Sequence, residues 1–431
     1  MKITLIGGGS WAWGPKLIND FCLTEELDSI TICLHDVVRE NAELVRRVGL
    51  RMAEIFGKKF DFEVVDDLAD AVRDAFVVSI TITTGGLSAM EHDLKISEKY
   101  GVFHTVGDTV GPGGWARALR NIPVFQKIGA ALRDHAPNAW VFNFSNPMAV
   151  LTGILSRYVP GRVTGCCHGP WESRQDMKAY LGLSEDSQIL CETSGVNHFF
   201  WVTKLRVDGC DILAELSQRR DDPDQPTFME DKSKLFVELW KMYDRMPYNA
   251  DRHTCEFLPW AIAPSEDRLK LWDLKRTFIE ERHEWARQSR EWIDKFLAGE
   301  ETAKEQKSGE AISNAIPALA GNCELVDVLN VTNQGQCPQL PAGALVETSG
   351  VINSIGFTPL NVSPLPGPVA TLVRVHAQNQ LDLLDAVEEW DWSGCVRVLR
   401  NDPLCSHLAP DKVRELADEF RAVNREWLEK A

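Results

Sequence analysis

The stretch KITLIGGGS, residues 2–10, decides the fold class. An apolar β-like run at 2–6 meets three glycines and a serine, and apolar residues then recur at helical spacing over 16–23. A strand, a glycine turn and a helix in this order are typical of dinucleotide-binding folds, because glycine permits positive φ and lets backbone N–H groups approach a pyrophosphate. The residues that we predict to contact such a cofactor are Gly7, Gly8, Gly9 and Ser10.

The second β-like run, 29–34, is followed by His35 and Asp36. A carboxylate at this place can accept hydrogen bonds from ribose hydroxyls, although it follows Gly7 by 29 residues, whereas the usual spacing is about 20. An aspartate favours NAD+ over NADP+, because it would repel a 2′-phosphate. The alternative is that Asp36 caps the helix predicted at 39–55.

Strand and helix patterns alternate up to residue 165, which predicts an α/β fold. At 431 residues the chain exceeds a usual single domain. We predict an N-terminal Rossmann-type NAD-binding domain at 1–165 and a mixed α/β catalytic domain at 166–431, the plan of lactate and malate dehydrogenases.

Composition excludes several classes of partner. The 63 acidic and 46 basic residues give a formal charge of −17 without a basic cluster, which argues against nucleic acid. No stretch approaches 18 apolar residues, so we expect no membrane span. Eleven cysteines without a CxxC pair predict no disulfide framework and favour a cytoplasmic location.

Two loops carry candidate ligand contacts. The segment VFHTVGDTVGPGG, 102–114, reads as a glycine-rich loop that lines a pocket, and it contains Asp108. The buried strand predicted at 140–144 ends at Ser145-Asn146-Pro147, and the carboxyl ends of such strands are where α/β sheets bind ligands. Asn146 is therefore a contact candidate, with ordinary Asn-Pro turn chemistry as the alternative.

Thiol and imidazole groups mark the middle of the chain. The motif GCCHGPW, 165–171, places Cys167 beside His168, and GVNH, 195–198, adds His198. A thiolate and an imidazole can hold a metal ion with positions left open for substrate. The alternative is that Cys167 is a small buried apolar residue and that both histidines are hydrogen-bonded core residues.

Ionisable residues are dense in NADRHTCEFLPW, 249–260. Such a run is usually a solvated face, but its closing aromatics favour a pocket wall. The charged helix predicted at 275–297 has tryptophans seven residues apart, which indicates packing, and we assign it no catalytic role.

Taken together, these motifs resemble glycoside hydrolase family 4 in the family's own order from end to end. The variants GCCH, DRHxxEFLP and NVxNQGQ look closest to the branch that acts on hexuronic acid glycosides, the bacterial α-galacturonidases and α-glucuronidases. The resemblance implies an NAD+- and Mn2+-dependent glycosidase, an exception to the two-carboxylate rule. Oxidation at C3 acidifies the C2 proton, its removal drives elimination at C1, and water addition and re-reduction follow.

The resemblance also implies residue roles. Cys167 and His198 match the metal ligands, and His168 matches the general acid. Asp251 is the best match for the general base, with His253 as the alternative. Substrate contacts are expected from four residues: Asp108, Asn146, Arg252 and His253. An anionic C6 group needs a cation, for which Arg252 is the first choice, and Arg117 and Arg120 either serve instead or hold the loop.

Departures from the family pattern restrict the substrate. His168 stands where 6-phospho-sugar enzymes have Asp or Asn, so a phosphorylated sugar is not expected. Gly169-Pro170 differs from the Ser-Val of α-glucosidases and α-galactosidases and from the Glu-Val of galacturonidases. Glucuronide, galacturonide and sulfoquinovose stay open, with a family 4-like α-glucosidase or α-galactosidase as a further alternative.

Two alternative functions belong to other classes of protein. One is a lactate/malate-type dehydrogenase, which needs an Asp-His pair and no metal, and the other is a non-enzymatic NAD sensor. Relatives are dimers or tetramers, so we expect a homodimer or homotetramer.

Overall fold

The computed structural model describes residues 1–184, 186–222, 224 and 226–429, so the domain predicted at 166–431 extends two residues beyond the described part. The strands are β1 (Lys2–Ile6), β2 (Ser29–His35), β3 (Lys59–Val64), β4 (Val77–Ile80), β5 (Trp140–Asn143), β6 (Val163–Gly165), β7 (Ile189–Val196), β8 (Phe199–Val207), β9 (Cys210–Asp211), β10 (Leu325–Thr332), β11 (Leu345–Asn353) and β12 (Gly356–Pro359).

Helices cover both faces of the larger sheet and connect its strands. They are α1 (Trp13–Cys22), α2 (Arg39–Phe56), α3 (Leu68–Val72), α4 (Gly86–Lys99), α5 (Gly111–His135), α6 (Met148–Tyr158), α7 (Gly169–Leu181), α8 (Leu213–Asp221), α9 (Lys234–Tyr243), α10 (Asp251–Thr254), α11 (Pro259–Ile262), α12 (Asp267–Leu271), α13 (Ile279–Ala298), α14 (Ile312–Leu319), α15 (Gly367–Ala386), α16 (Trp392–Asn401), α17 (Pro410–Val423) and α18 (Arg425–Leu428), with 3-10 turns at Cys255–Phe257 and Pro403–Cys405.

Within the described residues, nine strands form one sheet in the order β12-β11-β10-β6-β5-β4-β1-β2-β3, and β7, β8 and β9 form a second. The first six strands are parallel and have the 3-2-1-4-5-6 order of the Rossmann fold. The predicted α/β class with a Rossmann-type unit is therefore confirmed. Strands β10 to β12 continue the same sheet in antiparallel pairing, so it extends past residue 165.

The strand register places the candidate ligand-binding segments side by side. Ile6 pairs with Ile80, Ile80 with Asn143, and Asn143 with Gly165, so four parallel strands end in one row. The glycine turn, the Ser145-Asn146-Pro147 segment and Cys167 each follow one of these ends. They consequently lie along one edge of the sheet, where open α/β sheets bind ligands.

The glycine segment 111–114 was predicted as part of a loop, and that prediction is wrong, because α5 begins at Gly111. Tight packing explains the presence of glycine in this segment: a Cβ on Gly114 would lie 2.5 Å from the carbonyl carbon of Thr109. The backbone N–H of Gly111 donates to the Asp402 carboxylate at 2.9 Å. Glycine here serves close approach to the preceding loop.

Apolar packing mixes early and late parts of the chain. One buried cluster contains Ile6 and Leu119 from the Rossmann unit together with Leu383 and Phe420 from the C-terminal helices. In the described part of the chain, no helix combines the length and the apolar character that crossing a membrane requires.

A buried ion pair ties α4 to α5. Arg120 donates to both oxygens of Asp93, at 2.6 and 2.5 Å, and both side chains are fully buried. This pairing, together with donation from Arg120 Nε to the Thr84 carbonyl, gives Arg120 a structural role. It is therefore not the cation that meets an anionic sugar.

Replacing Arg120 by Met should lower the free energy of unfolding by about 3–5 kcal/mol, because Asp93 would remain as a buried, unpaired charge. The exposed Arg133–Asp134 pair provides the control, and Arg133→Met should leave the free energy of unfolding almost unchanged. Urea unfolding followed by circular dichroism measures both. Equal costs for the two variants would contradict the assignment.

Candidate active site

The glycine turn is fixed by the neighbouring strands. The N–H groups of Gly7 and Gly8 donate to the carbonyl of His35 at 2.9 and 3.0 Å. Gly7 has φ +82°, and a Cβ on it would lie 2.6 Å from the carbonyl oxygen of Thr81. Only glycine fits there without displacing the end of β4. The turn leads to α1, which begins at Trp13 rather than at the predicted residue 16.

Asp36 lies beside this turn. Its Oδ2 accepts the N–H of Gly9 and its Oδ1 accepts the N–H of Val38, both at 2.9 Å. Val38 precedes α2, so Asp36 does not cap the first turn of that helix. Each carboxylate oxygen keeps a lone pair, and the carboxylate can still accept ribose hydroxyls. The arrangement fits a dinucleotide.

Three potential metal ligands meet near the same edge. Asp108, His198 and His253 each offer a ligand atom, and these atoms all lie within 4.8 Å of one another. The His198 and His253 rings have centroids 3.9 Å apart. Asn146 Nδ2 donates to Asp108 Oδ2 at 3.2 Å, which brings four of the predicted site residues together.

Thr109 determines how His198 faces the cluster. Its hydroxyl donates to Asp108 Oδ1 at 2.8 Å and shares a 2.9 Å hydrogen bond with His198 Nδ1. Since the hydroxyl has one proton and gives it to the carboxylate, Nδ1 of His198 must donate. The Nε2 lone pair is then free for a metal ion.

The electrostatics suit a cation. Burial lowers the pKa of His198 to about 3, with His253 adding to the shift, so the imidazole is neutral and can be a ligand. Burial raises the pKa of Asp108, but His253, Arg117 and the hydrogen bond from Thr109 outweigh this effect and hold the pKa well below its ordinary value. A permanent carboxylate therefore lies next to a neutral imidazole.

Two buried carboxylates that the sequence analysis did not select hold the cluster. Glu347 on β11 accepts the backbone N–H of His198 at 3.1 Å and the amide of Asn330 at 3.0 Å. His198 has φ +66° in the turn between β7 and β8, so this bond holds a strained position. Burial raises the pKa of Glu347 to about 7.

The second carboxylate is Glu256. It accepts the N–H groups of Val106 at 2.7 Å and Gly107 at 2.9 Å, which fixes the loop carrying Asp108. Its position inside the acidic segment was the only signal in the sequence, and that signal did not separate it from its neighbours.

Cys167 is not a member of the three-residue cluster. Burial and the nearby Glu347 raise the pKa of its thiol well above the ordinary value, while Asn197 and the N–H of Gly169 act in the opposite direction. Asn197 directly precedes His198, so Cys167 lies next to the turn that carries the imidazole. Its predicted role as a metal ligand stays a prediction.

His168 lies partly exposed at the start of α7. Its Nδ1 is 3.3 Å from Glu310 and its Nε2 is 3.7 Å from Glu172. Glu310 is buried and also meets Lys16 of α1 at 3.4 Å. A carboxylate thus links the predicted acid to the helix that follows the glycine turn.

The structure does not bring Asp251, the preferred base, to the cluster. Its two oxygens accept the N–H groups of Leu235 at 2.9 Å and Phe236 at 2.8 Å, which caps α9. Burial raises its pKa to about 6. Arg252 is exposed and has no side-chain hydrogen bond or ion pair among the described residues.

Buried polar atoms that lack hydrogen-bond partners indicate whether the site can take a ligand. Asn146 Oδ1, Asn197 Oδ1 and His253 Nδ1 are buried without a hydrogen-bond partner in the described structure. Native proteins rarely leave such atoms unpaired unless a ligand, ion or water completes them. A carboxylate and imidazoles with open positions suit a divalent ion such as Mn2+.

The chain is similar to known proteins over most of its length. The model of the Family 4 glycosyl hydrolases matches residues 2–183, and that of their C-terminal domain matches residues 193–405. An α-galacturonidase of Bacillus subtilis (strain 168) is 32% identical over 422 residues, 94% of this chain and 93% of the relative.

Solved structures agree in fold. The Bacillus subtilis protein lplD superposes with a TM-score of 0.87 at 31% identity, covering 97% of this chain and 99% of that one. A 6-phospho-α-glucosidase from gut microorganisms, solved with NAD and Mn2+, has a TM-score of 0.83 at 22% identity, covering 99% and 98%.

Replacing Asp108 or His198 by Ala should each weaken Mn2+ binding at least about 10-fold, because both offer donor atoms to the cluster. Isothermal titration in the presence of NAD+ measures the affinity. The control is His407→Ala, whose exposed imidazole bonds the Tyr100 carbonyl. Unchanged Mn2+ affinity in both cluster variants would rule out this metal site.

Proposed function

The chain belongs to glycosyl hydrolase family 4, and we propose that it hydrolyses an α-linked hexuronide with NAD+ and Mn2+ as cofactors. The observation that carries the proposal is the Asp108–His198–His253 cluster at the sheet edge that also holds the glycine turn. The full-length likeness to an α-galacturonidase supports the hexuronide. The cysteine pattern and the family resemblance support a cytoplasmic homodimer or homotetramer.

The residues that would hold the two groups are separate. The glycine turn and Asp36 would hold NAD+, and Asp108 and His198 would hold the metal ion, with Cys167 as a further proposed ligand. When bound, these groups would supply hydride transfer at C3 and polarisation of the C2 and C3 oxygens.

His253 is the proposed general base that takes the proton from C2. Its ring lies against His198 and its buried Nδ1 has no hydrogen-bond partner in the described structure, which leaves an imidazole nitrogen beside the proposed metal ligands unengaged. Asp251 cannot play this part without releasing the backbone of α9. The proposed base is therefore the alternative that the sequence left open.

His168 is the proposed acid that protonates the glycosidic oxygen. Its side chain is partly exposed, as a group that meets a leaving aglycone must be. Glu310 and Glu172 approach its two nitrogens and would orient the ring. The acid and the base come from different elements, α7 and α10.

The substrate is tested with nitrophenyl α-glucuronide, α-galacturonide, α-glucoside, α-galactoside and sulfoquinovoside, assayed with NAD+, Mn2+ and a thiol reductant. One hexuronide should exceed the neutral glycosides in kcat/KM by at least about 100-fold, since a site built for a charged group rejects analogues that lack it. Preference for a neutral α-galactoside would reject the hexuronide and keep the family. Sulfoquinovoside as the best substrate would keep an anionic sugar but change its acid group.

The base is tested with His253→Ala and its neighbour Asp251→Asn. His253→Ala should lower kcat by about 100-fold or more with Mn2+ affinity retained, the size expected for losing a general base. Asp251→Asn should mainly lower the melting temperature. Loss of Mn2+ binding in His253→Ala would make His253 a metal ligand instead, and loss of turnover without destabilisation in Asp251→Asn would restore Asp251.

A further inference from the structure

Helix α13 places one arginine beside the site without a counterion. Arg282 Nη2 donates to the carbonyl of Val106 at 3.0 Å, two residues before Asp108. Its Nε is buried and has no hydrogen-bond partner, and no carboxylate of the described chain lies within ion-pair distance of its guanidinium. The sequence predicted only packing for this helix.

The other cations of the region are engaged or exposed. Arg117 uses Nε on the Asn146 carbonyl at 2.9 Å and Nη2 on the Thr83 hydroxyl at 3.0 Å. Arg120 is paired with Asp93 on both oxygens. On α13 itself Arg287 is exposed and paired with Glu284. Arg282 is thus the partly buried guanidinium near the cluster with a free donor edge.

An incompletely paired cation in such a place needs a reason, because desolvating a charge without a partner is costly. Burial lowers the pKa of Arg282; Asp108 and Glu256 counteract this from a distance, and Arg252 adds repulsion. The two guanidinium groups therefore repel each other, and no carboxylate of the described chain is bonded to either. A bound anion between them would remove the repulsion and satisfy the free Nε.

We propose that Arg282 is a specificity-determining residue that binds the carboxylate of the sugar together with Arg252. The inference rests on the proposed function, since it names the group that reads the acid of the hexuronide. The placement supports it: Arg252 adjoins His253 in sequence, and Arg282 holds the loop of Asp108. In this proposal, a sugar whose C2 and C3 hydroxyls meet the cluster places its acid group between the two guanidinium groups.

The test compares Arg282→Gln and Arg282→Lys with Arg287→Gln, an exposed control on the same helix. Arg282→Gln should lower kcat/KM for the hexuronide by about 30-fold or more, mainly through KM, as expected for removing one partner of a buried charge pair. Arg282→Lys should recover only part, because an ammonium lacks the two-donor edge. Turnover of the neutral glycoside should change less than about threefold.

Affinities for NAD+ and Mn2+, measured by titration, separate substrate recognition from loop support. Both affinities should be unchanged in Arg282→Gln. A loss of either would make Arg282 a structural support of the loop that carries Asp108 and would overturn the inference. A wild type that hydrolyses hexuronides and an Arg282→Gln variant that does so equally well would overturn the inference alone. A wild type that prefers neutral glycosides would overturn the proposed function and, with it, the carboxylate role.

Discussion

A hydrogen-bonded chain from Asn146 through Asp108 and Thr109 to His198 is the contact on which the site depends. Asn146 follows a strand of the Rossmann unit, whereas His198 belongs to the hairpin of the second sheet. The chain therefore sets the distance between the cofactor edge and the imidazole. It also selects the His198 tautomer that leaves Nε2 free.

Two carboxylates outside the cluster hold this hydrogen-bonded chain in place. Glu256 binds the backbone of the loop that carries Asp108, and Glu347 binds the backbone of the strained His198 turn. Burying two carboxylates is unfavourable unless donors bond to them; Glu347 accepts hydrogen bonds on both oxygens, and Glu256 accepts them on Oε1. These buried carboxylates fix the geometry of the two segments at a cost in stability, which is common at functional sites.

The sequence predicted what is local. The strand-glycine-helix start, Asp36 after β2 and Asn146 after β5 follow from period, turn chemistry and the rule that ligands bind at strand ends. It did not predict contacts across the chain: Asp251 and His253 share one helical turn, yet one caps α9 and the other joins His198. Glu347, Glu256 and Arg282 were missed for the same reason, because strand and helix patterns do not reveal which distant loop a side chain will meet.

Removal of the C2 proton distinguishes the proposed mechanism from that of every two-carboxylate glycosidase. The direct measurement is hydrolysis of the preferred glycoside in D2O, with NMR of the released sugar. Exchange of the abstracted proton with solvent predicts deuterium at C2 and no net accumulation of NADH. A product with hydrogen at C2, released at a normal rate, would contradict the mechanism.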